Sequence, residues 1–419
     1  MEKQKNWAGN LIYQARQWHE PASIEEIQAI VRQANKVRVV GSRHSFNEIA
    51  DSEDAIISLV RFNRILSLDR QQQTVTIEGG VRYGELSAFL QDQGFALSNM
   101  ASLPHISVVG ACATATHGSG DRNQCLSSSV KAMSVITADG ELVNFFRDKH
   151  KEEWNGVVVS LGALGVVTEL TLDIVPSYQV SQYVFEHLSF SELEQHVDDI
   201  FSSAYSVSLF TTWQEDEINQ VWLKQICSED ESSDVRTDLY GASSAKKNSH
   251  PIMGVNAVNC TEQMGVPGPW FDRLPHFRLD FMPSSGSELQ SEYLIPREYA
   301  LEAIQALRTM RHEIAPLLHT NEFRTVAKDD LWLSPSYQQD VMGIHLTWKD
   351  KWEDVQRVLP QIEAVLKPFQ ARPHWGKLFT MPKERVQSFY EKLPAFRQLL
   401  QAYDPKGKFR NAFINTYIF

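Results

Sequence analysis

Two groups of residues in this chain have types and spacing suited to chemistry. The first is the loop Gly41-Ser42-Arg43-His44-Ser45 together with the later run Ser102-Leu103-Pro104-His105-Ile106-Ser107-Val108-Val109-Gly110-Ala111-Cys112-Ala113-Thr114-Ala115-Thr116-His117-Gly118-Ser119-Gly120. Glycines and other small side chains let backbone N–H groups approach a pyrophosphate closely, and the hydroxyls add donors, so both segments could line one dinucleotide. Neither is a G-x-G-x-x-G between strand and helix, nor a G-x-x-x-x-G-K-S/T, so a nicotinamide Rossmann site or a P-loop is not supported. Either loop alone reads more readily as a pair of tight turns, and His44 alone as a hydrogen-bonded turn residue. Two such loops in order, each bearing a histidine, favour a ligand cradle.

The second group lies late in the chain: Glu322-Phe323-Arg324, His345-Leu346-Thr347 and His374-Trp375-Gly376-Lys377. On strands, residues two apart share a face, so Glu322 pairs with Arg324 and His345 with Thr347, giving four polar groups that can converge on a pocket. Without the glycine-rich loops these would read as solvent-facing strand faces and a satisfied core histidine. Beside those loops, the pocket reading is favoured.

The elements that must position these groups follow in chain order. Ser23 reads as a helix cap with Glu26 closing a capping box, and Ile24, Ile27, Ile30 and Val31 share the face behind it. Val37-Arg38-Val39-Val40 is a short β-branched strand that delivers the His44 loop. Thr74–Glu78 alternates as a strand, 83–90 suggests a helix, 130–137 and 141–145 form a hairpin around Asp139-Gly140, and 166–175 is again strand-like. Strand-like pieces recur at 323–326 and 344–348, while residues 243–250 read as a polar surface loop or short disordered insert without chemistry.

The chain has 419 residues, enough for two or three domains with a large core. A formal charge of −12 and the lack of a Lys/Arg cluster argue against nucleic-acid or anionic-membrane partners and favour a small soluble substrate. No signal peptide and no run of about 18 apolar residues is visible, so a cytoplasmic protein is expected. Cys112, Cys125, Cys227 and Cys260 are widely spaced, as suits reduced structural thiols, and no metal site is expected.

The two loops resemble those of the vanillyl-alcohol-oxidase type of flavoprotein, in which a G-S-x-H-S loop and a later G-x-x-A-T-x-x-H-G-S-G segment embrace FAD. More narrowly, Asn6-Trp7-Ala8-Gly9-Asn10 and Asn99-Met100-Ala101-Ser102-Leu103-Pro104-His105-Ile106 are similar to the bacterial alditol oxidases. The similarity continues through Asn259-Cys260-Thr261-Glu262-Gln263, Pro283-Ser284-Ser285-Gly286, Arg372-Pro373-His374-Trp375-Gly376-Lys377 and Asp404-Pro405-Lys406-Gly407-Lys408-Phe409, and covers nearly the whole chain.

The resemblance implies an α+β, two-domain FAD-binding fold of the vanillyl-alcohol-oxidase (PCMH) type with a mixed sheet-plus-helix substrate domain. The expected division is a FAD domain over 1–178, a substrate domain over 179–377, and a segment over 378–419 that returns to the FAD side. By resemblance His44 carries FAD covalently, with Val39, Val40, Gly41, Ser42, Arg43 and Ser45 around it. Ser102, Ser107, Gly110, Ala111, Ala113 and Thr114 follow from the second loop, and His117, Val166, Val167 and His374 complete the cofactor contacts.

Ser102, Glu322, Arg324, Thr347 and Lys377 match positions that contact substrate hydroxyls, with Lys377, Arg324 and His345 as the catalytic candidates. A carboxylate accepts and a guanidinium donates in fixed geometry, which suits vicinal hydroxyls. The implied reaction converts the terminal primary hydroxyl of an alditol of the xylitol or sorbitol type to the aldose, with hydride passing to flavin N5 and oxygen yielding hydrogen peroxide. A monomer is expected. Two departures stand out: Arg43, where a glycine is common, and Cys112, where a smaller or hydroxylated residue is usual. Alternatives are an aldonolactone oxidase or dehydrogenase, or a non-catalytic carbohydrate-binding protein; a metal hydrolase is disfavoured because no histidines take an H-x-x-x-H spacing.

Overall fold

The computed structural model describes residues 4–227, 238–281 and 288–419; the Pro283-Ser284-Ser285-Gly286 motif lies outside the described residues. The helix Ile24–Gln33 starts where expected, with Ser23 Oγ accepting from the Glu26 amide at 3.2 Å. The Glu26 carboxylate turns back to the amide of Ala22 (2.8 Å), one residue before the Ser23 amide of a standard box. Ile27 and Val31 form a satellite core with Val37, Ile57 and Phe409. The strand Val37–Val40 pairs in parallel with Ala55–Ser58, which also pairs with Gln17–His19. Ala55, Ile56 and Ile57 are all buried, as a parallel strand covered on both faces requires.

A second, antiparallel sheet runs in the order Ile65–Asp69, Thr74–Glu78, Val166–Asp173, Val130–Ile136, Leu142–Phe146. The hairpin between the last two closes through Gly140, whose φ of 81° is the left-handed conformation such a turn needs. The helix Tyr83–Asp92 covers the 83–90 expectation.

The largest sheet is antiparallel, with ten strands among the described residues. Its central path is Gln179–Ser189, Glu217–Ile226, Ser206–Thr211, Leu318–Val326, Val341–Lys349 and Glu288–Pro296. Register across the last three strands sets Glu322 opposite His345 and His345 opposite Glu292. One step along, Thr347 lies between Thr320 and Gln290. Alternation therefore puts Glu322, Arg324, His345, Thr347, Gln290 and Glu292 on one face. The opposite face carries Phe323, Ile344 and Tyr293, which join the main core with Ile304 and Leu307 of the helix Ala300–Arg308 and Leu359 of the helix Trp352–Val365. Burying each such side chain contributes roughly 1.5–3 kcal/mol, so the apolar face fixes which way the polar face points.

The last forty residues are stitched to the strand Val37–Val40 and to the turn at Glu48. Val37 N donates to Lys408 O (3.0 Å), Arg38 Nη1 to Phe409 O (2.7 Å), and Asn411 Nδ2 to Glu48 O (2.9 Å). The segment 243–250 is exposed at Ser243, Ser244, Lys246 and Lys247, as expected of a surface loop, but its end turns inward. It begins in the strand Ala242–Ser244, buries Ala245, Ser249 and His250, and is held by reciprocal bonds of 2.8 Å between Ser249 and the side chain of Gln263. The backbone of Ser249 can be internal because the Gln263 side chain satisfies both its N–H and its carbonyl.

Candidate active site

The two residue groups meet because the His44 loop is bonded directly to the segment that carries Lys377. Phe46 N donates to Gly376 O (2.8 Å), and Asn47 Nδ2 donates to Trp375 O and Lys377 O (2.8 Å each). From the other side, Asn6 Nδ2 donates to Ser45 O (2.9 Å), Trp7 N to Arg43 O (2.8 Å) and Asn10 Nδ2 to Phe46 O (2.9 Å). One cavity of about 350 Å³ then runs from the His44 loop to the polar face of the large sheet, a size usual for ligand sites.

At the first end, a Cβ on Gly41 would collide with Ser107 of the second loop, so glycine there lets the two loops close on each other; a Cβ on Gly110 would meet the same Ser107 Oγ from within its own loop. Ser42 Oγ accepts from Ser107 N (3.0 Å), joining the loops across the cavity wall. His44 lines the cavity and stacks on Trp7, with centroids 4.9 Å apart and planes 20° apart. Its Nδ1 lies 3.1 Å from Ser42 O, which only accepts, so Nδ1 carries the ring proton. Its Nε2 is buried without a hydrogen-bond partner among the described residues. Desolvation lowers the imidazole to about 4, which keeps it neutral at pH 7. A neutral ring with a spare lone pair, beside a cradle only glycines permit, fits the dinucleotide the loops lead one to expect.

Val39, Val40, Arg43, Ser45, Ala111, Ala113, Thr114, His117 and His374 also line the cavity. Val166 and Val167 do not. Both sit in the strand Val166–Asp173, paired with Ile136 and Val135, and their side chains are spent on core packing; Leu161 and Gly162, just before that strand, reach the cavity instead. Cys112 is buried on the far side of its short helix, with Sγ 3.8 Å from Tyr83 Oη, so this departure does not touch the cavity. Arg43 has φ 61°, the left-handed region where a glycine would be unstrained.

At the second end the charges form a connected lattice. Glu292, 1% exposed, accepts from Lys377 Nζ at 2.6 Å and Arg324 Nη2 at 3.0 Å, with His117 Nε2 at 3.2 Å. Arg324 Nη1 also reaches Ser102 Oγ (3.1 Å). Glu322 accepts from His276 Nε2 (2.9 Å) and has His345 Nδ1 and Arg324 Nε each at 3.5 Å. Burial raises both carboxyls, but Lys377, His117 and Arg324 around Glu292, and Arg324 and His276 around Glu322, hold them well below the ordinary carboxylate range. Desolvation lowers Lys377, opposed chiefly by Glu292, and desolvation aided by Lys377 lowers His345 to about 4. His345 Nε2 is buried and unpartnered among the described residues. His374, driven well below its usual value by burial, accepts from Gly376 N (3.1 Å) and lies 3.4 Å from Thr116 Oγ1.

Ser102, Glu322, Arg324, His345, Thr347 and Lys377 thus share one wall. Sequence reasoning missed Glu292, His276 and His250. The period-two polar run Glu288-x-Gln290-x-Glu292 was a legible signal for the first. Nothing local marks His276 or His250, which come from irregular segments.

The family model of the FAD binding domain matches residues 16–145, and that of D-arabinono-1,4-lactone oxidase matches residues 282–417. The chain is 44% identical to the alditol oxidase of a Streptomyces species over 416 residues, covering 99% of this chain and 98% of that protein. It is 25% identical to the L-gulonolactone oxidase of Mus musculus over 439 residues, covering 99% and 98%. A solved cholesterol oxidase from B. sterolicum superposes with a TM-score of 0.78 at 13% identity, covering 100% of this chain and 97% of that one. That likeness shows the fold alone, and together with the FAD-binding-domain match it gives the α+β FAD-binding fold of the vanillyl-alcohol-oxidase type. With near-full-length identity of 44%, the chain belongs to the alditol oxidase family of FAD-dependent oxidoreductases.

Proposed function

We propose that this protein oxidises the terminal primary hydroxyl of an alditol of the xylitol or sorbitol type to the aldose, with FAD tethered through His44, oxygen as final acceptor and hydrogen peroxide as product. The carrying observation is one cavity with His44 and its unpartnered Nε2 at one end and the Glu322–Arg324–Glu292–Lys377 lattice at the other. When bound, FAD supplies a hydride acceptor at N5 and passes the electron pair to oxygen. The family membership and the neutral His44 ring support the covalent link.

Arg324 donates to, and Glu322 accepts from, neighbouring substrate hydroxyls, while Ser102 and Thr347 complete the set. Lys377 and Arg324 stabilise the negative charge that grows on the reacting oxygen as its carbon loses hydride. His345 faces the Glu322 carboxylate with Nδ1, which therefore carries the proton, and offers the Nε2 lone pair to the departing hydroxyl proton. The cofactor unit is assigned to 1–178, the substrate unit to 179–377, and 378–419 to a return segment; the bonds from 408–411 to Val37, Arg38 and Glu48 support the last assignment.

Peroxide production from xylitol, sorbitol and a sugar lactone by the purified protein tests the substrate. The lactone-oxidase match over 282–417 favours lactone oxidation as the second reading, and faster turnover of the lactone would establish it instead. Acid denaturation should leave yellow fluorescence on the wild-type polypeptide and none on His44→Ala. Full-speed flavin reduction by Lys377→Met would reject the role given to Lys377.

A further inference from the structure

Behind the substrate wall lies a charged group that the reaction above does not use. Lys224, on the strand Glu217–Ile226, is 1% exposed. Its Nζ donates to Leu274 O, to Pro275 O at 3.1 Å and to His276 Nδ1 at 3.0 Å, one acceptor for each ammonium proton. Because Nδ1 accepts, the proton of a neutral His276 must sit on Nε2, and this is the atom 2.9 Å from Glu322 Oε1. The ring is boxed edge-on by Trp222 (5.1 Å) and Phe210 (5.6 Å), and its backbone amide donates to Ser102 O at 3.0 Å. His276 therefore touches two residues of the substrate wall and takes its tautomer from a third residue that touches neither substrate nor cofactor.

We propose that Lys224 and His276 are a buried positioning pair that fixes Glu322 as the ionised acceptor of a polyol hydroxyl and makes polyol binding depend on pH. The proposal rests on the polyol reading of this cavity. A lysine that only filled space here would be better replaced by an apolar chain, since an interior ammonium carries a desolvation cost that packing alone does not offset. Its three matched acceptors and the single route to Glu322 give the charge a task.

The groups facing Lys224 are His276, Glu322, Arg324 and Cys260. Desolvation lowers the amine to about 7, with Glu322 and Cys260 opposing and Arg324 reinforcing. Above that pH the amine has one donor fewer. Two donors are then shared among three acceptors, so the hold on His276 Nδ1, and with it the preference for the Nε2–H tautomer facing Glu322, weakens. Polyol affinity should fall as pH rises through about 7.

Two measurements on the flavin-loaded enzyme test this. In the first, ¹⁵N spectra of ring-labelled histidine, with His276 assigned by its loss in His276→Gln, should show the Nε2–H tautomer below about pH 7 in the wild type and lose it in Lys224→Met. In the second, xylitol kinetics should show KM raised about tenfold or more in Lys224→Met and His276→Leu with kcat changed about threefold or less, the loss expected for one charge-assisted hydrogen bond. His276→Gln, which keeps an N–H for Glu322, should rescue most of the KM. The wild-type rise of KM with pH should be flat in Lys224→Met, and Lys224→Met combined with Glu322→Gln should be no worse than Glu322→Gln alone. Flavin content per polypeptide reports folding of each variant. An Nδ1–H tautomer in the wild type, multiplicative losses in the double variant, or a pH-independent wild-type KM overturns the pair. Absence of any polyol oxidation by the wild type is a separate result, which overturns the polyol reading and the ligand named here.

Discussion

Replacing Glu292 with glutamine keeps the shape of the side chain and removes one negative charge from the centre of the site. The carboxylate lies 2.6 Å from Lys377, 3.0 Å from Arg324 and 3.2 Å from His117, and none of the four is open to solvent enough to be screened well. Breaking a buried pair by removing one partner costs about 3–5 kcal/mol, because the charge left behind is uncompensated. A glutamine carbonyl returns a neutral hydrogen bond of about 1 kcal/mol, so Glu292→Gln should lose about 3 kcal/mol of unfolding free energy at pH 7. The pH dependence has a definite sign. Burial raises the Glu292 carboxyl but its cationic neighbours hold it well below its ordinary value of 4.5, so its contribution is present above 4.5 and is lost as pH falls through the folded value. Wild type and variant should therefore converge in acid.

The same substitution should act on the reaction, since Glu292 is the main group opposing the desolvation of Lys377. Without it Lys377 loses its proton at a lower pH. Flavin reduction by xylitol should then drop roughly 10²–10³-fold at pH 7, the loss of a transition-state charge partner, and recover in part as pH is lowered. Urea unfolding followed by tryptophan fluorescence and anaerobic stopped-flow reduction, each across pH, provide the two readings. A stability loss under about 1 kcal/mol with an unchanged rate profile would refute the lattice as described.

Gly41→Ala places a methyl group against Ser107 Oγ, so the loops must part; a loss of about 1–3 kcal/mol and a fall in flavin per polypeptide are expected, read by denaturant melts and absorbance. Arg43→Gly should relieve the left-handed strain at φ 61° and stabilise the protein by up to about 1 kcal/mol in the same melts, with flavin content retained. Phe323→Ala, on the apolar face opposite Glu322, should cost about 3–5 kcal/mol by leaving a cavity in the main core.

Much of the site was legible residue by residue. The β-branched Val37–Val40 had to be a strand and the small, polar residues after it a loop, so His44 was placed correctly at a strand end. Alternation put Glu322 with Arg324 and His345 with Thr347 on shared faces, as the register bears out. The same rule extended to Glu288, Gln290 and Glu292 would have found the central carboxylate. In 243–250 the polarity rightly said surface for Ser243, Ser244, Lys246 and Lys247, but not for Ser249, whose backbone Gln263 satisfies internally.

Local alternation, capping and turn chemistry are properties of the covalent chain over a few residues, and these the sequence determined by itself: strand ends, shared faces and the glycine cradle. Only the tertiary structure decided that Glu322, His345 and Glu292 stand in one row, that Phe46 and Asn47 bind 375–377, and that Lys224 reaches Glu322 through His276. Those contacts join segments tens to hundreds of residues apart. Their register is selected by burying the apolar face of the whole sheet at once, a sum over many side chains that no local window contains.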